Sequence, residues 1–479
     1  MTKISRRSFI RQSSCAAVGS TTLMSTLLNL KALNAASLNN SSNMMEDYKA
    51  LVCILFSGGN DSFNMLVPKD SNPATGTSLY KNYRNTRSNL ALNFNSLLGL
   101  NHLNTAVSLG LHPSLPKLAN LYNTTRNVAF ISNIGTLVEP ISNRTQIDNN
   151  QVETPLGLLS HSDQQLQWQT CMPNDRSAVG WAGRMADLLQ SMNPNQNISM
   201  NISLSGTNIL QTGNTTVEFA VDPYSRDIGI SGDNGSQGWL LDEIITRSLD
   251  SMFGNTYQDI FKKSYAGVIA NSREGNRILQ EQLDIPLPYT LNFPDTDLGN
   301  SLKLVAELIA KSQGLGHKRQ IFFIDYGGWD HHDDILASQL AMFQEVDDAL
   351  SAFNTAISTQ INMPNNVLTF TVSEFGRSLT SNGNGTDHAW GGNVMVMGGN
   401  VDGGKTFGQY PDIVLGGPLD LWSGQGIFIP TTSTDAYFAE MALWYGVSPS
   451  ELPVLFPNIG NFYNIGSGGK PIGYLKSLT

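Results

Sequence analysis

Ala50-Leu51-Val52-Cys53-Ile54-Leu55-Phe56, followed at once by Ser57-Gly58-Gly59-Asn60-Asp61, is the stretch that decides the fold. An apolar run without polar alternation, closed by two glycines, suits a strand buried on both faces of a parallel sheet. The same kind of run returns from Val128 to Ile134, from Ile321 to Ile324 and from Val367 to Val372. Helical spacing lies between these runs, from Leu115 to Tyr122, Trp181 to Met192 and Leu302 to Lys311. The longest helical pattern is Ile335, Leu336, Leu340, Phe343, Val346, Leu350, Phe353 and Ile357, a three- and four-residue spacing. Strands alternating with amphipathic helices predict an α/β, doubly wound, mainly parallel sheet with helices on both faces. Residues 193–300 are less regular, rich in Asn, Gly and Thr, and read as an inserted cap or long excursion within one domain spanning 49–479.

With 479 residues, 40% of them hydrophobic, the chain has ample material for a core, which excludes a disordered tail protein. Acidic residues outnumber basic ones by 39 to 29, and five of the basic ones lie in the first 36 positions, which hold no acid. The remainder is more acidic still, a poor match for nucleic acid or anionic membranes as partners, since both need clustered Lys and Arg. Ser5-Arg6-Arg7-Ser8-Phe9-Ile10 is a twin-arginine pattern, followed by an apolar stretch from Cys15 to Leu30 and the small residues Ala35-Ala36-Ser37. Positions 1–36 therefore read as a signal peptide and 37–48 as a flexible leader. The expected location is periplasmic or extracellular, with the twin-arginine translocation machinery as the partner during export. No later run reaches the roughly 18 apolar residues of a membrane span. Cys53 reads as a buried thiol, with Cys171 its sole possible partner after the signal.

Three segments collect polar residues directly after or near buried strands, where α/β sheets bind ligands. They are Gly58-Gly59-Asn60-Asp61-Ser62, Gly327-Gly328-Trp329-Asp330-His331-His332-Asp333-Asp334, and Ser373-Glu374-Phe375-Gly376-Arg377 continuing to Gly385-Thr386-Asp387-His388. One acid of the second segment is expected to cap the long helix beginning near Asp334. Carboxylates with imidazoles suit Zn, Mn, Mg or Ca, one or two ions, and the cysteine count excludes a thiolate site. Spacing alone leaves two readings open, a divalent metal site and a catalytically silent polar loop cluster.

Together with Ser160-His161, Leu111-His112-Pro113 and Gly403-Gly404 ahead of Gly408-Gln409-Tyr410-Pro411, these motifs resemble the bacterial DUF1501 family across about 50–465. That resemblance implies kinship with the alkaline phosphatase and sulfatase superfamily. It implies that Asp61, Asp387 and His388 hold one metal and that Asp330 and His332 hold a second. His331 stands where the family usually has Thr, and Ser160 stands where the superfamily has its nucleophile. His388 is the last histidine of the chain. The remaining ligand position therefore falls to Glu374 or water, or a single metal binds. Ser160 lies outside the sulfatase activation pattern, so the expected reaction is hydrolysis of a small anionic phosphate ester, and less of a sulfate ester. In this reading Ser160 attacks, Arg377 clamps the nonbridging oxygens and His161 assists. Each role has a plainer counterpart: an N-cap hydroxyl for Ser160, a structural salt bridge for Arg377 and a packed or supporting ring for His161.

Overall fold

Strand β1, Lys49–Leu55, sends alternate side chains to opposite faces of the sheet. Ala50, Val52 and Ile54 join one apolar cluster, and Leu51, Cys53 and Leu55 join the other. Both faces are covered, and this is why the run lacks polar alternation. The computed structural model describes residues 47–70, 78–104, 107–226, 240–253 and 259–478. The twin-arginine segment 1–36, leader positions 37–46 and Cys15 lie outside the described residues.

The main sheet continues with β2 (Val128–Gly135), β3 (Asn201–Ser203), β4 (Phe219–Ala220), β5 (Arg319–Asp325), β6 (Val367–Val372), β7 (Gly392–Met397), β8 (Lys405–Gly408) and β9 (Thr432–Ser433). In space the strands run β8-β2-β7-β6-β1-β5-β3-β4, with β9 also on β2. Every pairing is parallel except those of β7, which is antiparallel to both β2 and β6. The fold is thus the expected mainly parallel, doubly wound α/β sheet.

Helices α1 (Leu79–Arg87), α2 (His161–Thr170), α3 (Trp181–Leu189), α4 (Leu240–Phe253), α5 (Ile260–Leu283), α6 (Asp297–Ala310), α7 (Ile335–Thr355) and α8 (Thr434–Tyr445) complete the main frame. Helices α6 and α7 cover one face, while α3 and α8 cover the other. On α7 the expected stripe is buried at Ile335, Phe343, Val346, Leu350 and Phe353, whereas Leu336 and Leu340 are exposed. Asp334 adopts a left-handed backbone conformation and its side chain caps nothing, so the expected acidic cap of this helix is absent. The irregular stretch 193–300 supplies β3 and β4 at the sheet edge as well as helices α4 and α5. Strand β3 carries no apolar run because its polar side chains Asn201 and Ser203 are themselves buried, Asn201 donating to the Gln211 carbonyl. Cys53 and Cys171 are both buried free thiols. Among the described residues, no helix is long and apolar enough to cross a membrane.

Register places the functional loops. Leu55 at the end of β1 lies level with Asp325 of β5 on one side and Val372 of β6 on the other. Three neighbouring parallel strands therefore end together, and each releases one of the polar segments at the same rim.

Candidate metal centre

The three loops are stitched together at that rim. The Gly58 amide donates to Glu374 Oε1 at 2.7 Å, the Asn60 amide donates to Ser373 Oγ at 2.9 Å, and the Thr386 amide donates to the His331 carbonyl at 3.2 Å. Gly58 has a φ of +118°, and a Cβ there would stand 2.4 Å from the Asp330 amide nitrogen. Only glycine lets the first loop pass so close to the second.

At the meeting point Asp330 faces three imidazoles. Its Oδ1 lies 3.0 Å from His332 Nε2 and 3.4 Å from His388 Nε2, and its Oδ2 lies 3.5 Å from His161 Nε2. His332 Nε2 and His388 Nε2 are 3.2 Å apart. His161, Asp330 and His388 each bring a ligand atom within 4.8 Å of the others. The far nitrogen of each ring is directed elsewhere. His388 Nδ1 meets the Leu159 carbonyl at 2.8 Å, His161 Nδ1 meets Glu374 Oε1 at 2.9 Å, and His332 Nδ1 faces Asp387 Oδ1 at 3.5 Å. A carbonyl or carboxylate only accepts, so Nδ1 of His388 and of His161 carries a hydrogen; the neutral His388 ring then presents a lone pair at Nε2, and His161 Nε2 is turned toward Asp330. Anchored Nδ1–H groups with convergent Nε2 atoms and a carboxylate form a donor set that fits a divalent ion.

Burial and neighbouring charge act on Asp330 and His388. Burial works to raise the Asp330 carboxyl, but the hydrogen bond and charge of Arg377, with His332 and His161 nearby, hold it below the ordinary range. Burial pushes the His388 imidazole down, against its bond to the Leu159 carbonyl, which favours the neutral ligating form. The Phe375 ring stacks on His388 with centroids 4.5 Å apart and fixes the ring plane.

The expected site residues divide into three groups. His161, Asp330, His332 and His388 are brought together, with His161 in the ring of donors itself. Glu374 and Asp387 stand behind that ring. Glu374 is fully buried, and its Oε1 also accepts from Gln165 Nε2 at 3.0 Å. Asp61, Ser160 and Arg377 are placed in other work. The Asp61 carboxylate is buried and bonded to Arg87 of α1, whose guanidinium also donates to the Ser378 carbonyl at 3.1 Å. Burial pushes the Asp61 carboxyl up while Arg87 pulls it back. Ser160 is the N-cap of α2, its Oγ accepting from the Asp163 amide at 3.5 Å and lying 3.2 Å from Ser162 Oγ. Arg377 is fully buried, giving NH1 to Asp330 Oδ1 at 2.8 Å, NH2 to the Thr386 carbonyl at 2.6 Å and Nε to Thr386 Oγ1 at 3.3 Å. These contacts match the structural salt bridge and leave no face for a substrate clamp. His331 is buried beside Trp329, outside the ring of donors, and burial lowers its pKa. Arg87, Gln165 and the Leu159 carbonyl carry no sequence signal that separates them from ordinary helix and loop residues.

Comparison with known proteins gives a family match over part of the chain and little else. No curated protein matches. Among solved structures, one titled "Crystal structure of Ps i-CgsB in complex with k-i-k-neocarrahexaose" matches at 10% identity over 86% of this chain and 72% of that chain, with a TM-score of 0.30. So low a score carries no argument. The family described as "Protein of unknown function (DUF1501)" matches residues 294–416, the part that holds the second and third loops with Asp330, His332 and His388, and this supports the family resemblance read from the motifs.

Proposed function

We propose that this chain is an exported, metal-dependent hydrolase of phosphate esters, with sulfate esters as the lesser substrate class, related to the alkaline phosphatase and sulfatase superfamily. One observation carries the reading: Nε2 atoms of His161, His332 and His388 converge on Asp330 while Nδ1 of His161 and of His388 is anchored by a hydrogen bond. His161, His332, His388 and Asp330 would hold a divalent ion, which would supply Lewis-acid charge for the negative oxygens of the ester and lower the pKa of water. The residues of the chain do the rest. Glu374 and the Leu159 carbonyl hold the rings, and Arg377 holds Asp330 from below. Because Ser160 caps α2, the nucleophile in this proposal is water and no covalent intermediate forms. The twin-arginine motif supports export to the periplasm or cell exterior through the translocation machinery.

The test is elemental analysis of full-length protein purified without chelator, paired with turnover of an aryl phosphate, a phosphodiester and an aryl sulfate. The expected outcome is one bound ion, lost in the His161→Ala/His388→Ala double variant, and ester cleavage that follows it. Protein that holds no metal and stays inactive after addition of Zn, Mn, Mg and Ca refutes the enzyme. A second reading, a catalytically silent exported protein keeping one ion, draws on the burial of Arg377, which leaves that guanidinium facing inward. Bound metal without turnover on any ester selects it.

A further inference from the structure

A large cavity among the described residues lies outside the metal centre. About 840 Å³ in volume, it opens where Gly408 ends β8 and Thr432 and Ser433 form β9, at the carboxyl edge of the sheet. Its size suits a small-molecule site, and its position is where open α/β sheets bind ligands. The lining holds no Lys, Arg or His, and Asp412 is its single acid. One wall is built in advance. Asp420 is buried and accepts four amides, Gly416 at 2.8 Å, Gly424 at 2.7 Å, Gly426 at 3.0 Å and Ile427 at 3.3 Å, which fixes the loop carrying Gly417, Pro418 and Leu419.

We propose that this cavity binds a neutral saccharide. The choice follows from what the lining can satisfy. An anion meets the Asp412 carboxylate with no cation to offset it. A purely apolar ligand would cover Gln409, Asp412 and the Ser142 hydroxyl, which line the cavity and face water in its absence, and offer them no partner. A sugar ring presents hydroxyls on its edge and C–H groups on its face. The exposed Gln409 and Asp412 side chains receive the hydroxyls, and the half-buried Phe462 ring receives the apolar face. Leu137 and Ile141, which line it, belong to the apolar cluster that includes Trp390, two residues beyond His388, and no residue of the metal centre lines the cavity.

The experiment titrates neutral hexasaccharides of glucose, galactose and mannose into the full chain, followed by calorimetry. The expected dissociation constant for at least one is in the range of about 10 μM to 1 mM. Phe462→Ala and Asp412→Asn should each weaken it about tenfold or more without changing the thermal unfolding profile. Chelator-treated protein should bind equally well. The proposal is overturned if none of the probes binds, if binding is unchanged in both variants, or if an acidic oligosaccharide binds more tightly than every neutral one.

Discussion

Asp61 offers the sharpest test, because sequence and structure give it different work. Its carboxylate and the Arg87 guanidinium are both fully buried and bonded to each other. Asp61→Ala leaves Arg87 with a charge that the Ser378 carbonyl alone cannot balance. Removing one partner of a buried pair costs about 3–5 kcal/mol. Unfolding entropy near 2 cal/mol/K per residue, over the unit Tyr48–Thr479, comes to about 0.9 kcal/mol/K. The expected fall in Tm is therefore about 3–6 °C. Replacing both partners by leucine removes the charge along with its partner, and most of the loss should return. Below the melting range the Asp61→Ala protein should keep the metal content of the parent. Calorimetry with elemental analysis measures both quantities on one sample. Loss of the ion at unchanged Tm would return Asp61 to the ligand set, and a double variant as unstable as the single one would show that the ion pair is not the cause.

Three further outcomes are expected. Glu374→Gln keeps an acceptor for His161 but removes the charge that orients it, so metal affinity should drop by about 10- to 100-fold in a competition titration while stoichiometry at saturation is unchanged. Ser160→Ala removes an N-cap, costing about 1 kcal/mol in denaturant unfolding, with ester turnover retained; abolished turnover would reinstate the nucleophile. His317 is buried with Gln320 Nε2 facing its Nδ1 at 3.0 Å and the Ile198 carbonyl near its Nε2, and burial pushes its pKa down to about 4. The unfolded chain takes up that proton near pH 6.5 and the folded chain does not, so this histidine lowers stability by about 1.4 kcal/mol per pH unit from about 6.5 down to about 4. His317→Gln should flatten the slope in acid denaturation, and an unchanged slope would refute the assignment.

The strands were legible because a two-faced buried strand has to be apolar throughout, and β1, β2, β5 and β6 fall on the four runs. The level register of Leu55, Asp325 and Val372 was implied only by the rule that parallel strands release their ligand loops at one edge. Asp330, His332 and His388 were legible for the same reason, since their loops follow β5 and β6. Asp61 and Arg377 were ambiguous because a charged residue after a glycine turn looks alike whether it faces an ion or a buried partner. Arg87 arrives from α1 across 26 residues of chain, with no pattern that marks it. His161 was visible beside Ser160, but its ring reaches the centre only because α2 packs against the third loop through Gln165 and Glu374.

The arrangement of His332 adds a further physical reason for a cation. His388 Nδ1 donates to the Leu159 carbonyl, so its neutral ring turns an Nε2 lone pair toward His332 Nε2, 3.2 Å away. A neutral His332 has one hydrogen to place. On Nε2 it satisfies His388, but a bare Nδ1 then faces the Asp387 carboxylate, acceptor against acceptor. On Nδ1 it satisfies Asp387, but two lone pairs then face each other beside the Asp330 carboxylate. Neither tautomer satisfies both contacts without water between the exposed His332 and Asp387 side chains. Two additions do, a second proton on His332 or a cation taking both Nε2 lone pairs, and the cation also has His161 Nε2, 3.5 Å from Asp330 Oδ2, within the same set. The two differ in elemental analysis, where the proton leaves no trace and the cation appears in proportion to protein, falling away when His161 and His388 are removed together.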